Sequence, residues 1–218
     1  MALAFLHGGR PPHLVLRRPS CLNGATTRVS LEAEIPSNAF CRKQNPSWRA
    51  GFSLGVDLGG TRTGLAISKG FSARPLSVLE LRGENLERRL LEIAAKEEAD
   101  EFIIGLPKSR DGMETPQSNK VRSIAGRIAV RAAERGWRVY LQDEHGTSTE
   151  ALHFMIDVGL KRTARQKKID AYAAMMVLER YFATSGSGAE LVFPKDSALQ
   201  EKLRQGYSKD LDFFPEEC

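Results

Sequence analysis

Three acids stand where a folded chain could gather carboxylates. Asp57 closes the apolar stretch Phe52-Ser53-Leu54-Gly55-Val56, Glu144 follows the apolar run Trp137 to Leu141, and Asp170 comes directly after a basic run. Carboxylates brought together repel and need protons or cations to coexist. An all-oxygen donor set suits Mg²⁺ or Mn²⁺. Two such ions can activate a water and stabilise the leaving oxygen of a phosphodiester. Asp143 is adjacent to Glu144 but would point elsewhere in an extended segment. A plainer reading of Asp57 is a side chain that caps its turn. Thr147 with Glu150 reads as a capping box, so part of the polarity after Glu144 is structural.

Basic groups surround these acids. Lys161, Arg162, Arg165, Lys167 and Lys168 form a run without an acid before Asp170, and Lys108 and Arg110 follow the strand Glu101 to Gly105. Arg62 sits in the glycine-rich turn after Asp57. Together they could hold phosphates around an acidic centre. A solvated basic loop is the bland alternative, and Arg62 is open between a phosphate contact and a pair with a rim acid. His145 and His153 read as local or surface residues.

The elements that must position these groups follow from periodicity. Leu54 and Val56, then Leu65 to Ile67, read as two strands joined by a tight turn. Residues 73–81 read as a third, edge strand, with Pro75 near its start. Leu86, Leu90, Ile93 and Ala94 recur at helical spacing. Glu101 to Gly105 fits a buried central strand. Thr115-Pro116 reads as the start of a helix that Gly136 ends. Trp137 to Leu141 is a fifth strand, a helix runs on to Gly159, and Asp170 opens a last helix with alanines on its packed face. The order βββαβαβα predicts an α/β fold with a five-stranded mixed sheet flanked by helices. The glycines after Asp57 then make room at a strand turn rather than forming a phosphate loop.

The chain has 218 residues and a net charge of +5. Residues 1–50 hold seven of the basic groups and two of the acids, so they carry that whole charge; the rest is neutral overall. The basic pI is therefore weak evidence for nucleic-acid binding. Residues 1–50 are acid-poor, bear arginine and proline, and read as a transit peptide or disordered leader, with cleavage anywhere from about residue 28 to residue 50. Chloroplast is the expected destination and mitochondrion the alternative. Residues 51–184 form the expected domain, and 185–218 a flexible extension with a short helix over 197–205. Cys21, Cys41 and Cys218 support neither a disulfide framework nor a metal site, and no stretch reaches the length of a membrane span.

Several runs carry a resemblance. Gly55-Val56-Asp57-Leu58-Gly59 with Arg62-Thr63-Gly64-Leu65-Ala66-Ile67-Ser68, Gly105-Leu106-Pro107-Lys108 with Asp111-Gly112, Asp143-Glu144 with Thr147, and Ile169-Asp170-Ala171 with Ala173-Ala174 are similar to motifs of the bacterial YqgF/RuvX family. The resemblance covers roughly residues 52–183. It implies a ribonuclease H-like fold and a metal-dependent nuclease, of a family described as Holliday junction resolvases and as nucleases maturing the 5′ end of 16S ribosomal RNA. It implies Asp57, Glu144 and Asp170 as catalytic, metal-binding acids and Mg²⁺ or Mn²⁺, in two ions, as cofactor. RNA or branched DNA would be the substrate, bound with help from Arg62, Lys108, Arg110, Thr147, Arg162, Arg165, Lys167 and Lys168. A monomer suffices for trimming RNA, and a homodimer would suit a junction. The chain departs from the family at His145-Gly146, where an arginine and a large apolar residue are usual. The resemblance and the leader together imply a plant organellar version of a bacterial enzyme. Two other classes stay open. The Asp57 turn is similar to the first phosphate loop of actin-like sugar and acetate kinases, but the chain lacks their second domain. A non-catalytic nucleic-acid or ribosome-associated protein on the same scaffold is the other.

Overall fold

A computed structural model describes residues 35–45, 47, 51–70 and 72–205. Most of the expected leader, residues 1–34, lies outside the described residues, as do Cys21 and Cys218. In chain order the elements are α1 (Asn38–Gln44), β1 (Phe52–Leu58), β2 (Thr63–Lys69), β3 (Ser72–Leu79), α2 (Gly83–Lys96), β4 (Ala99–Leu106), α3 (Pro116–Ala133), β5 (Arg138–Asp143), α4 (Thr147–Asp157), α5 (Arg162–Ala183), β6 (Glu190–Leu191) and α6 (Ser197–Gln205).

The sheet order is β3-β2-β1-β4-β5-β6. β1, β4 and β5 run parallel; β2, β3 and β6 run antiparallel to their neighbours. This is the expected ribonuclease H-like arrangement, with a sixth short strand added at the edge. Strand alternation divides the core. Leu54, Val56, Leu65, Ile67, Phe102 and Ile104 pack under α2 and α3. Ala66, Ile103 and Tyr140 face α5, whose Ala173, Ala174, Val177 and Leu178 are buried there. Pro75 lies in edge strand β3, opposite Ala66 at a register shift.

Three boundaries differ from the sequence reading. Residues 35–44 are not leader: Ile35 and Ala39 are buried in the α5-side core, and α1 supplies partners to a buried acid. Residues 185–205, the described part of the extension, pack on the domain: Leu191 pairs with Tyr140, and Leu203 of α6 is buried. The Ser185 to Gly188 turn packs close to Ser37, Ala39 and Tyr181 through Gly186. Finally, α5 begins at Arg162, so the basic run is its first turns and Asp170 lies inside the helix. Arg, Ala, Gln and Lys are good helix formers, and that preference outweighs the run's charge density.

Candidate active site

The parallel register sets the site. Val56 pairs with Ile104, and Ile104 with Leu141. Asp57 is the next residue of β1, so it falls beside Gly105 and Gln142 near the carboxyl ends of the central strands, where open α/β sheets bind ligands. Glu144 follows the end of β5, held there by its backbone N–H donating to Leu106 O at 3.2 Å. Its side chain turns back over β4: a Cβ on Gly105 would collide with Glu144 Oε2. Asp170 comes from α5 across β2. There a Cβ on Gly64 would collide with the Asp170 carbonyl. Glycine at these two positions lets the backbones and the carboxylate approach.

The acids feel one another. Burial, then the charge of Asp170, pushes Asp57 up to about 6. Burial, then the charges of Asp57 and Asp143, pushes Glu144 up to about 8. Glu144 Oε2 is buried without a hydrogen-bond partner. Buried polar atoms are normally partnered, so this oxygen marks a place for a proton or a cation. Asp170 is different. Arg62 Nη2 forms a close ion pair with Asp170 Oδ2, not aligned as a hydrogen bond, and donates to Gln166 O at 3.2 Å.

These observations bear on a metal. Among the described residues, no three His, Cys, Asp or Glu side chains are grouped to hold one ion. Asp57 and Glu144 fit a hard divalent cation through oxygen donors, a raised proton affinity and an orphaned oxygen. Asp170 is held by Arg62 instead.

The remaining expected site residues divide. Arg62 is a partner of Asp170 and Gln166, not an open phosphate contact. Thr147 is 3% exposed and donates its hydroxyl to Glu144 O at 2.9 Å, which removes it from the substrate surface. Its capping box with Glu150 does not form, because Gly146, in the left-handed region, is the N-cap and Thr147 the first helical residue. Lys108 pairs with Asp143 Oδ2 at 3.5 Å, and Asp143 Oδ1 accepts from His145 N–H at 2.8 Å, so Asp143 does point away from Glu144's role. Arg165 turns back to donate to Leu160 O at 3.0 Å. Arg110, Arg162, Lys167 and Lys168 are exposed. The last three crowd the amino end of α5, which has no acid in its first turn and no side-chain cap. Helix dipole and cations add there to a positive field. Arg180 was not singled out from the sequence; it reaches from α5 to the Glu144 loop, and a lone arginine near a helix end gives no signal of that.

The chain is similar to several known proteins. The family model described as "RuvX: Holliday junction resolvase" matches residues 51–184. A Nocardioides protein named "Putative pre-16S rRNA nuclease" is 36% identical over 155 residues, 66% of this chain and 97% of that protein. An Escherichia coli O157:H7 protein of the same name is 34% identical over 136 residues, 61% of this chain and 96% of its own length. Among solved structures, Thermus thermophilus RuvC is similar with a TM-score of 0.44 and 21% identity, over 64% of this chain and 99% of that one. A family match that spans β1 to β5, all three acids and the glycines beneath them makes this chain a member of the RuvX family.

Proposed function

We propose that this chain is a divalent-metal-dependent endonuclease that cuts RNA phosphodiesters, with precursor ribosomal RNA as its substrate. The observation that carries the reading is the half-buried Asp57–Glu144 pair, with Glu144 Oε2 buried and unpartnered, at a sheet rim shared with Asp170. The relatives' name as pre-16S rRNA nucleases supports the choice of RNA. Asp57, Glu144 and Asp170 would hold Mg²⁺ or Mn²⁺, in two ions. When bound, the metal supplies water activation and charge stabilisation at the leaving oxygen. The chain's own residues do the rest. Arg162, Lys167 and Lys168 draw the phosphate backbone to the amino end of α5, with Arg110 on the neighbouring loop. Arg62 neutralises Asp170 before substrate and metal arrive.

The test is cleavage of labelled precursor 16S rRNA and of a four-way DNA junction, side by side, with Mg²⁺ or Mn²⁺. We expect cutting near the 5′ end of the mature RNA and little cutting of the junction. Symmetric junction cutting without RNA cutting would favour the resolvase named in the family description, which calls for a dimer with paired sites. Cutting of neither would leave a nucleic-acid-binding protein. We also propose that the stretch before residue 35 addresses the protein to the chloroplast, with the mitochondrion as alternative, on its acid-poor, arginine-bearing composition. A fluorescent fusion of the full chain found in the cytosol would overturn that.

A further inference from the structure

We infer that Arg180 is the positioning residue for Glu144, acting from the helix that carries Asp170. Arg180 Nη1 donates to the carbonyls of Asp143 at 3.1 Å and His145 at 2.9 Å. These carbonyls flank Glu144 on both sides. Nη2 of the same guanidinium pairs with Glu150 Oε1 at 2.8 Å, on α4. One planar fork thus grips the loop, its flank and the next helix, a geometry that a lysine ammonium does not reproduce.

The loop needs such a grip. Glu144 Oε2 has no hydrogen bond of its own, so the loop backbone must hold the side chain in place. Gly146, at φ 79°, caps α4 without a side-chain bond. Other anchors include Glu144 N–H on Leu106 O, the Thr147 N–H and hydroxyl on Glu144 O, and Asp143 Oδ1 accepting from His145 N–H. Arg180 lies about 15 Å along the axis from Asp170 on one continuous helix. The same rigid element therefore sets two of the three acids, one by carrying it and the other by holding its loop. Placement of such groups within a fraction of an ångström is what supporting hydrogen bonds provide.

The test compares Arg180→Gln and Arg180→Lys with Glu150→Gln, which keeps both carbonyl contacts. Amide hydrogen exchange of residues 143–147 is the first readout; kcat and KM for Mn²⁺-dependent RNA cleavage, which rest on the proposed nuclease function, are the second. In Arg180→Gln we expect exchange at 143–147 to quicken about tenfold while α5 stays protected, and kcat to fall by about tenfold or more at an unchanged KM. Arg180→Lys should recover part of both, and Glu150→Gln should stay near wild type. Unchanged exchange at 143–147, or a rise in KM alone, would overturn the assignment. If the wild type cuts no nucleic acid, the nuclease reading falls and the exchange readout still decides Arg180 by itself.

Discussion

Glu144 is the residue whose protonation the surroundings decide. With Glu144 at about 8 and Asp57 at about 6, the metal-free site at pH 7 holds a proton on Glu144 and an ionised Asp57. A divalent cation must displace that proton. Calorimetric Mn²⁺ titration at pH 7 in buffers of different ionisation enthalpy should report close to one proton released, and none with Glu144→Gln. The same shift has a stability sign. Glu144 is raised from 4.5, so the native state holds its proton more tightly than the unfolded chain does. Its contribution is fully present below the ordinary glutamate range and is lost as pH rises through about 8. Metal-free protein should therefore melt lower at pH 8.5 than at pH 5, and Glu144→Gln should flatten that slope. The strand-end positions of Asp57 and Glu144 could be read from periodicity, whereas Asp170 lies inside α5 rather than at its start. Arg62's pairing with Asp170 was not legible, since a long side chain's partner depends on how α5 crosses β2. Thr147 was misread because the turn into α4 uses Gly146, not a side-chain cap.

At the scale of elements, the sheet's glycines set how closely α5 and the Glu144 loop approach. Gly64→Ala places a methyl against the Asp170 backbone. The helix cannot give way locally, so unfolding in urea should show a loss of about 1–3 kcal/mol, as overpacking does. Gly105→Ala meets the Glu144 side chain rather than backbone. There we expect near-native stability and cleavage reduced by about tenfold or more, as a displaced group would give. Equal effects of the two substitutions on stability and rate would count against this division. Nearly all of the central sheet and its helices could be read from the chain, because Leu54/Val56, Phe102/Ile104 and the α2 and α3 faces keep clean periods. The start of α5 was obscured by its charges, and the two-residue β6 is too short to show a period.

At the scale of the molecule, the chain outside the family match completes the fold. Glu101 is 0% exposed and pushed up by burial. Its oxygens accept from Asn38 N–H at 2.9 Å, Ser53 Oγ at 2.9 Å and Tyr181 Oη at 2.9 Å. Arg42 reaches Ser68 Oγ at 3.1 Å and Gly51 O at 2.9 Å, and lies over the Phe182 ring. Periodicity could not reveal this, since seven helical residues matter here through polar partners deep in the sheet. A chain lacking residues 1–45 should be less stable in urea unfolding, by about 3–5 kcal/mol, than one that begins at residue 35, as when a buried charge loses its partners. In the proposed function, the fold would hold Asp57, Glu144 and Asp170 at one sheet rim for a divalent cation that assists phosphodiester hydrolysis. The most direct measurement is single-turnover cleavage of labelled precursor 16S rRNA with Mn²⁺ by wild type, Asp57→Asn, Glu144→Gln and Asp170→Asn. The account predicts metal-dependent cutting by the wild type and a loss of at least about a hundredfold in each folded variant. Cutting by Asp57→Asn at the wild-type rate would contradict it.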